Sequence, residues 1–412
     1  MRRALVVVAL AAAVVPVATA GGSRRHPDPV RVVLARLAQS KAAPADQLVA
    51  DRALYGHALA TVGRLGGVRK RELRSVLRIL RGMAKAGALT PGRLPLVFMT
   101  LRRNVEWWSQ HGPPVPGSPG EKDAQGRKCR PLSKVRAHAS RLSFPGSALV
   151  WQYYPGMGLQ LQVNGTFGLA GALLRTTNPE KLAQGAQILD EMRPLATTRG
   201  GALTWEYLFP FGGGQPPWAS GLAQATAIEA YLAGAKVLGR PELADFARRL
   251  VELFHLPPPA GVNVRLARDG SWYALYTFAP HVHVLNAQLD AVIALSDLAQ
   301  ATQDGDAAFL AEEGLRATRR RIHSFDTGKW SRYSEPGPLA DLNYHVLNRD
   351  LSRELCKRTG QGAICKAWHS FSDELEARCP RPQQPAPPPQ PAPAPQPAPP
   401  PAPAPGGAPA PS

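Results

Sequence analysis

A mainly α-helical fold is predicted: an α/α toroid, a ring of helical hairpins, preceded by a small helical domain and followed by a disordered Pro/Ala-rich tail. Three observations predict it. From Val150 onward, segments of about 12 to 20 residues with helical apolar spacing alternate with aromatic, glycine-rich connections, a rhythm of helical hairpins and not of βαβ units. Residues 29 to 110 keep the same period, as in Val30, Val33, Leu34 and Leu37 and again in Leu73, Val76, Leu77, Leu80 and Met83. Residues 380 to 412 are almost wholly Pro, Ala, Gln and Gly, which lack the apolar bulk for a core.

Residues 1 to 20 read as a secretory signal: Arg2 and Arg3 are charged, Ala4 to Val15 are apolar, and Ala18-Thr19-Ala20 is a small-residue cleavage site. The run is broken by Pro16 and falls short of the ~20 apolar residues that span a bilayer. A secreted or cell-envelope, extracytoplasmic protein with no transmembrane span after signal removal is expected. Residues 21 to 113 form the helical N-terminal domain. Its last helix is announced by Thr90 as N-cap and Pro91 at the first helical position, and runs through Leu94, Val97, Phe98 and Leu101 to Trp107 and Trp108. Residues 114 to 140, rich in Gly, Pro and Lys, read as a linker.

Residues 141 to 379 carry the toroid, with helices expected at roughly 164 to 175, 178 to 198, 217 to 238, 241 to 255, 283 to 302, 305 to 324 and 340 to 358. The stretches 262 to 267 and 271 to 277 read as a β-hairpin closed by Arg268-Asp269-Gly270. Asn164-Gly165-Thr166 has the form of a glycosylation sequon but is expected to begin a helix, with Asn164 or Thr166 as cap.

Cys129, Cys356, Cys365 and Cys379 are an even number in an exported chain, so two disulfides are expected, with three pairings open. The absence of CxxC spacing speaks against zinc, and His281 and His283 alternate like two ligands on a strand without an evident third; no metal is assigned. The net charge is +19, and its excess is N-terminal: residues 21 to 113 hold 17 Lys and Arg against 5 Asp and Glu, whereas residues 178 to 379 hold 21 against 23. Attraction to acidic polymers fits that distribution. Nucleic acid is disfavoured by the export signal and the lack of a reading motif.

Four motifs in order carry a resemblance. Pro217-Trp218-Ala219-Ser220-Gly221-Leu222-Ala223-Gln224-Ala225-Thr226-Ala227-Ile228 comes first, then Trp272-Tyr273-Ala274-Leu275-Tyr276 with Val284-Leu285-Asn286. Phe325-Asp326-Thr327-Gly328 with Ser331-Arg332-Tyr333 and then Asn343-Tyr344-His345 follow. Together they resemble the C-terminal domain of the D-glucuronyl C5-epimerases, over about residues 150 to 360. Tyr153-Tyr154-Pro155-Gly156 and Gly158-Leu159-Gln160-Leu161-Gln162 are similar to the N-terminal part of bacterial members.

The resemblance implies inversion at C5 of a uronic acid residue within a polysaccharide, with no cofactor. The C5 proton lies alpha to a carboxylate, so its removal needs a base on one face, a donor on the other and stabilisation of the developing charge. Carried over by position, Tyr276, Tyr333 and Tyr344 are the proton-transfer group, with Trp218, Gln224, Trp272, Asn286, His345 and Arg332 shaping substrate contact. The sequence departs from the family where Ala274 and Leu275 replace two glutamates, where Pro336 follows Ser334-Glu335 without the family's arginine, and at Asn348 in place of a histidine. Glu206, in the aromatic connection ahead of Trp218, is a candidate to fill the gap. Two rivals remain open: a glycoside hydrolase or polysaccharide lyase using Glu206 and a second carboxylate, and a non-catalytic glycan-binding envelope protein. The partner in every case is a uronate-containing or other acidic polysaccharide.

Overall fold

The structure, a computed structural model, describes residues 27–114 and 141–380. The expected signal segment, most of the linker with Cys129, and the Pro/Ala-rich tail lie outside the described residues. The described chain is mainly helical. Four helices come first: α1 (Pro29–Gln39), α2 (Ala45–Arg64), α3 (Gly67–Lys85) and α4 (Leu94–Gln110). Asp28 caps α1, accepting from the Val30 and Arg31 amides. Thr90 makes no side-chain cap; Pro91–Arg93 is a 3-10 turn that leads into α4.

A three-stranded antiparallel sheet follows, with β1 (Arg141–Leu142), β2 (Trp151–Tyr154) and β3 (Gly158–Leu161) in that order. It is seated on the lead helices by two polar side chains. The Glu72 carboxylate on α3 accepts from the Tyr153 hydroxyl at 3.1 Å and from the Gly156 and Gly158 amides. Asn104 on α4 treats β3 as a strand would: its Oδ1 accepts from the Leu159 amide and its Nδ2 donates to the Leu159 carbonyl, both at 2.8 Å. Gly158 must be glycine, because its φ is +74° and a Cβ there would lie 2.4 Å from Asn104 Oδ1.

Four helical hairpins make up the rest: α5 (Val163–Leu174) with α6 (Pro179–Met192), α7 (Gly221–Leu238) with α8 (Glu242–Arg248), α9 (Leu285–Thr302) with α10 (Gly305–Arg321), and α11 (Leu342–Thr359) with α12 (Gly362–Arg378). The first helix of each hairpin packs on the first of the next, so α5, α7, α9 and α11 form an inner row, each backed by its outer partner. Small residues allow the close approach: Ala223, Ala225, Ala227, Ala230 and Gly234 on α7, and Ala287, Ala291 and Ala294 on α9, are all buried.

Short strand pairs fill the connections. β4 (Thr197–Arg199) pairs with β5 (Ala202–Thr204), β6 (Glu206–Tyr207) with β7 (Trp218–Ala219), and β8 (Asn263–Arg265) with β9 (Ser271–Tyr273). β10 (His283–Val284) pairs with β11 (Ser334–Glu335). The expected hairpin at 262 to 277 is the β8–β9 pair, shortened because Ala267–Asp269 turns as a 3-10 helix.

Several helix boundaries differ from expectation for local reasons. α6 ends at Met192, where Pro194 sits in a 3-10 turn, and the chain then enters β4. α7 starts at Gly221 because Trp218 and Ala219 are a strand; Ser220 is the cap, accepting from the Ala223 amide at 3.2 Å. The N-cap of α5 is Gln162, without a side-chain bond, so neither Asn164 nor Thr166 caps it. Thr166 Oγ1 accepts from the Val150 amide instead. Cys356 and Cys365 form a disulfide that ties α11 to α12; Cys379 is also disulfide-bonded. Among the described residues no helix is long and apolar enough to cross a membrane.

Candidate active site

The inner helices run in parallel, and hydrogen bonds between their first turns fix the site. Thr226, six residues into α7, donates to Asn164 Oδ1 on the first turn of α5 at 2.8 Å and lies 3.2 Å from Asp290 Oδ2, six residues into α9. The connections that precede these helices meet above them. Tyr207 of β6 accepts from the Asn164 amide at 3.1 Å, and the Tyr333 carbonyl accepts from the Leu285 amide that opens α9.

Three of the expected site residues come together there. The Tyr333 hydroxyl interacts electrostatically with both Tyr276 and Tyr344, and the rings of Tyr333 and Tyr344 are 4.6 Å apart. Tyr276 comes from the turn after β9, Tyr333 from the turn before β11, and Tyr344 from the first turn of α11, whose Asp341 cap accepts from the Tyr344 amide. Trp218 forms the wall behind them, stacked on Tyr207 at 4.2 Å and edge-on to Tyr276 at 5.7 Å. Its indole N–H donates to the Phe209 carbonyl.

Burial pushes the pKa of every tyrosine in this group up, those of Tyr276, Tyr333, Tyr344 and Tyr207 included, and that of Tyr154 to about 12. They are therefore neutral hydroxyls near neutral pH, suited to donating hydrogen bonds and protons and not to accepting a proton from carbon. Arg141 of β1 opposes the shift at Tyr154, Tyr207 and Tyr344, which puts a positive charge near these three. Among the described residues Arg141 forms no ion pair; its Nε donates to Gln152 Oε1 at 3.2 Å. Gln162 links the rest, donating to Gln152 and to the Tyr154 hydroxyl at 2.8 Å. Arg141 and Asn164 also line an open cavity of about 630 Å³ beside α5, together with Ser143, Val150, Leu169 and Gln184.

The other expected contacts are placed elsewhere, and each correction has a physical reason. Glu206 is 1% exposed, and its two oxygens are taken by Arg93, at 2.5 Å, and Arg199, at 2.7 Å. Strand alternation turns it to the side opposite Tyr207. It is an ion-pair anchor, not a proton-transfer group. Gln224 is buried and satisfied by Thr204 Oγ1 and the carbonyls of Leu203 and Leu250. Trp272 is fully buried and stacks on Phe325 at 5.5 Å, in the core between α9, α10 and α12. His345 is fully buried, lies 3.6 Å from the Trp330 ring and bonds Ser331 and the Phe371 carbonyl. Burial pushes its pKa down to about 4, so it is a neutral packing histidine. Arg332 is exposed, with its guanidinium near the Gly337 carbonyl. Asn286 is the exception: it is fully buried on α9, with neither amide atom partnered among the described residues.

Four cluster residues were not singled out individually in the sequence. Tyr154 and Gln162 fall in the segments noted as similar to bacterial epimerases, and Tyr207 follows Glu206 directly. Arg141 follows the linker and carries no local signal. Asp290 and Glu229 had one: each is a carboxyl within the apolar, small-residue run of an inner helix.

Three comparisons show what the chain is similar to. An uncharacterized protein of Methanocaldococcus jannaschii is 24% identical over 177 residues, 42% of this chain and 58% of that protein. Among solved structures, the cellobiose 2-epimerase of Bacillus thermoamylovorans B4167 superposes with a TM-score of 0.41 at 12% identity, covering 53% of this chain and 60% of that one. A D-mannose isomerase does so with a TM-score of 0.38 at 14% identity, covering 52% and 59%. This chain thus spans less than two thirds of each. The three tyrosines all fall within residues 199–372, and that segment matches the family model of the D-glucuronyl C5-epimerase C-terminus.

Proposed function

We propose that the protein is an exported enzyme that abstracts and returns the C5 proton of uronic acid residues in a polysaccharide, on an α/α toroid built from the four hairpins. The observation that carries this reading is the meeting of Tyr276, Tyr333 and Tyr344 in one cluster, with the charge of Arg141 acting on Tyr344. Arg141 takes the place of the arginine absent after Tyr333, holding the uronate carboxylate where negative charge grows as C5 loses its proton. The neutral tyrosine hydroxyls supply hydrogen bonds to that charge, and Tyr344, the most exposed of the three, delivers a proton to carbon. This chemistry calls for no cofactor.

The hydrolase or lyase reading loses its carboxylate, because both Glu206 oxygens are held by arginine. A non-catalytic glycan-binding reading is favoured by one observation: Ala274 and Leu275, in place of two glutamates, are buried at 0% and 6% exposure and carry no proton. Incubation of the mature protein with uronate polysaccharides in deuterated water separates them. Deuterium at C5 is expected; binding without exchange across a panel of such glycans makes the protein a lectin-like one.

A further inference from the structure

Beneath the tyrosines lies a pair of carboxyls that the reading above leaves unused. Gln288 marks the outward side of α9, donating to the Gly314 carbonyl and Thr318 of α10. Asn286 and Asp290, four residues apart, lie on the opposite side, toward the space between the inner helices. Asp290 meets Thr226 there, and Thr226 reaches Asn164, whose amide donates to the Tyr207 hydroxyl. The Asp290 carboxyl is thus linked to the aromatic wall through Thr226 and the side chain and backbone of Asn164. Asn286 is 0% exposed, and neither its amide nitrogen nor its oxygen has a partner among the described residues. A buried amide with both ends unanswered, one turn above the carboxyl on the same face, points to a polar ligand group in this space.

We propose that Asp290 is the general base that takes the C5 proton, with Asn286 and Asn164 holding the sugar against it and Thr226 hydrogen-bonded to it. This rests on the epimerase reading and names the residue that replaces the lost glutamates. The C5–H bond breaks, its electron pair moves into the carboxylate as an enolate held by Arg141, and the proton passes to Asp290. A tyrosine hydroxyl then protonates the opposite face of C5. The tyrosinate so formed is reprotonated at the expense of Asp290, by way of solvent, and the cycle closes without net proton change.

The surroundings suit the task. Burial pushes Asp290 up to about 7, and burial with the charges of Asp290 and Asp297 pushes Glu229 well above the carboxylate range. The cations facing the pair are Arg175 at the end of α5 and Arg358 on α11, and Arg358 is itself engaged by Asp297 and Glu354. A base poised near the working pH is the efficient one.

The test uses the full mature chain and a glucuronate polysaccharide in deuterated water, following C5 exchange from about pH 5 to 9 with glycan binding measured alongside. In Asp290→Asn, exchange is expected to fall by ~100-fold or more while binding persists. In Thr226→Val, losing the hydrogen bond that lowers the Asp290 pKa is expected to move the acidic limb of the wild-type profile to higher pH, which a merely structural role would not do. Exchange in Asp290→Asn within a few-fold of wild type, with the acidic limb unmoved in both variants, overturns the assignment and leaves the epimerase reading intact. Binding without any wild-type exchange overturns both.

Discussion

Tyr344 has 39% of its surface exposed, while its hydroxyl end is tied to Tyr333. Tyr344→Phe keeps the ring and its packing, so C5 exchange should fall by ~100- to 10,000-fold with glycan affinity unchanged, as measured by isotope incorporation beside calorimetry. Arg141→Ala should instead weaken binding by ~10- to 100-fold, the size of one lost charge-assisted hydrogen-bonded contact. The dependence of binding on ionic strength should flatten with it. Asp290 adds a pH signature to stability. Its folded pKa lies above its unfolded one, so the stabilisation is full below the unfolded pKa of ~4 and is lost as pH rises towards 7. Asp290→Asn should therefore have a thermal midpoint that falls less than that of wild type between about pH 4 and 8.

At the scale of elements, what could be read from sequence was whatever a regular apolar period writes. α5, α7, α9, α10 and α11 lie within a few residues of expectation because small and apolar residues recur on their inner faces. α12 was not expected: its buried side is one residue per turn, Ile364, Ala367, Phe371 and Leu375, in a helix otherwise polar. The tyrosine trio was legible because the motifs carry it in order. The burial of Trp272, Gln224 and His345 was not, since an aromatic or amide in a connection has the same letters whether it faces a groove or a core. β2 and β3 owe their position to partners about 55 and 80 residues earlier, Asn104 and Glu72, and such long-range polar docking leaves no local trace. Asn104→Ala should cost ~2 to 4 kcal/mol in denaturant unfolding, because the Leu159 amide and carbonyl and the Trp108 indole would lose a partner together.

For the whole molecule, one apolar core runs without a break from Val30 on α1 to Ala311 on α10, so the lead helices and the hairpins share an interior. The arginine-rich side belongs to the lead helices while the tyrosines belong to the hairpins, so on the function proposed above attraction of the polymer and its chemistry fall on different parts of one body. Strand β6 connects the two. Glu206 on one of its sides is gripped by Arg93 from the lead helices, and Tyr207 on the other stacks on Trp218 in the site. The two-residue strand therefore works like a rocker, with one arm anchored in the N-terminal helices and the other forming part of the aromatic wall. A truncated protein beginning at residue 141 would release the anchored arm and leave a carboxylate with half its counter-charge, so that trimming a remote region would misalign the wall beside the tyrosines.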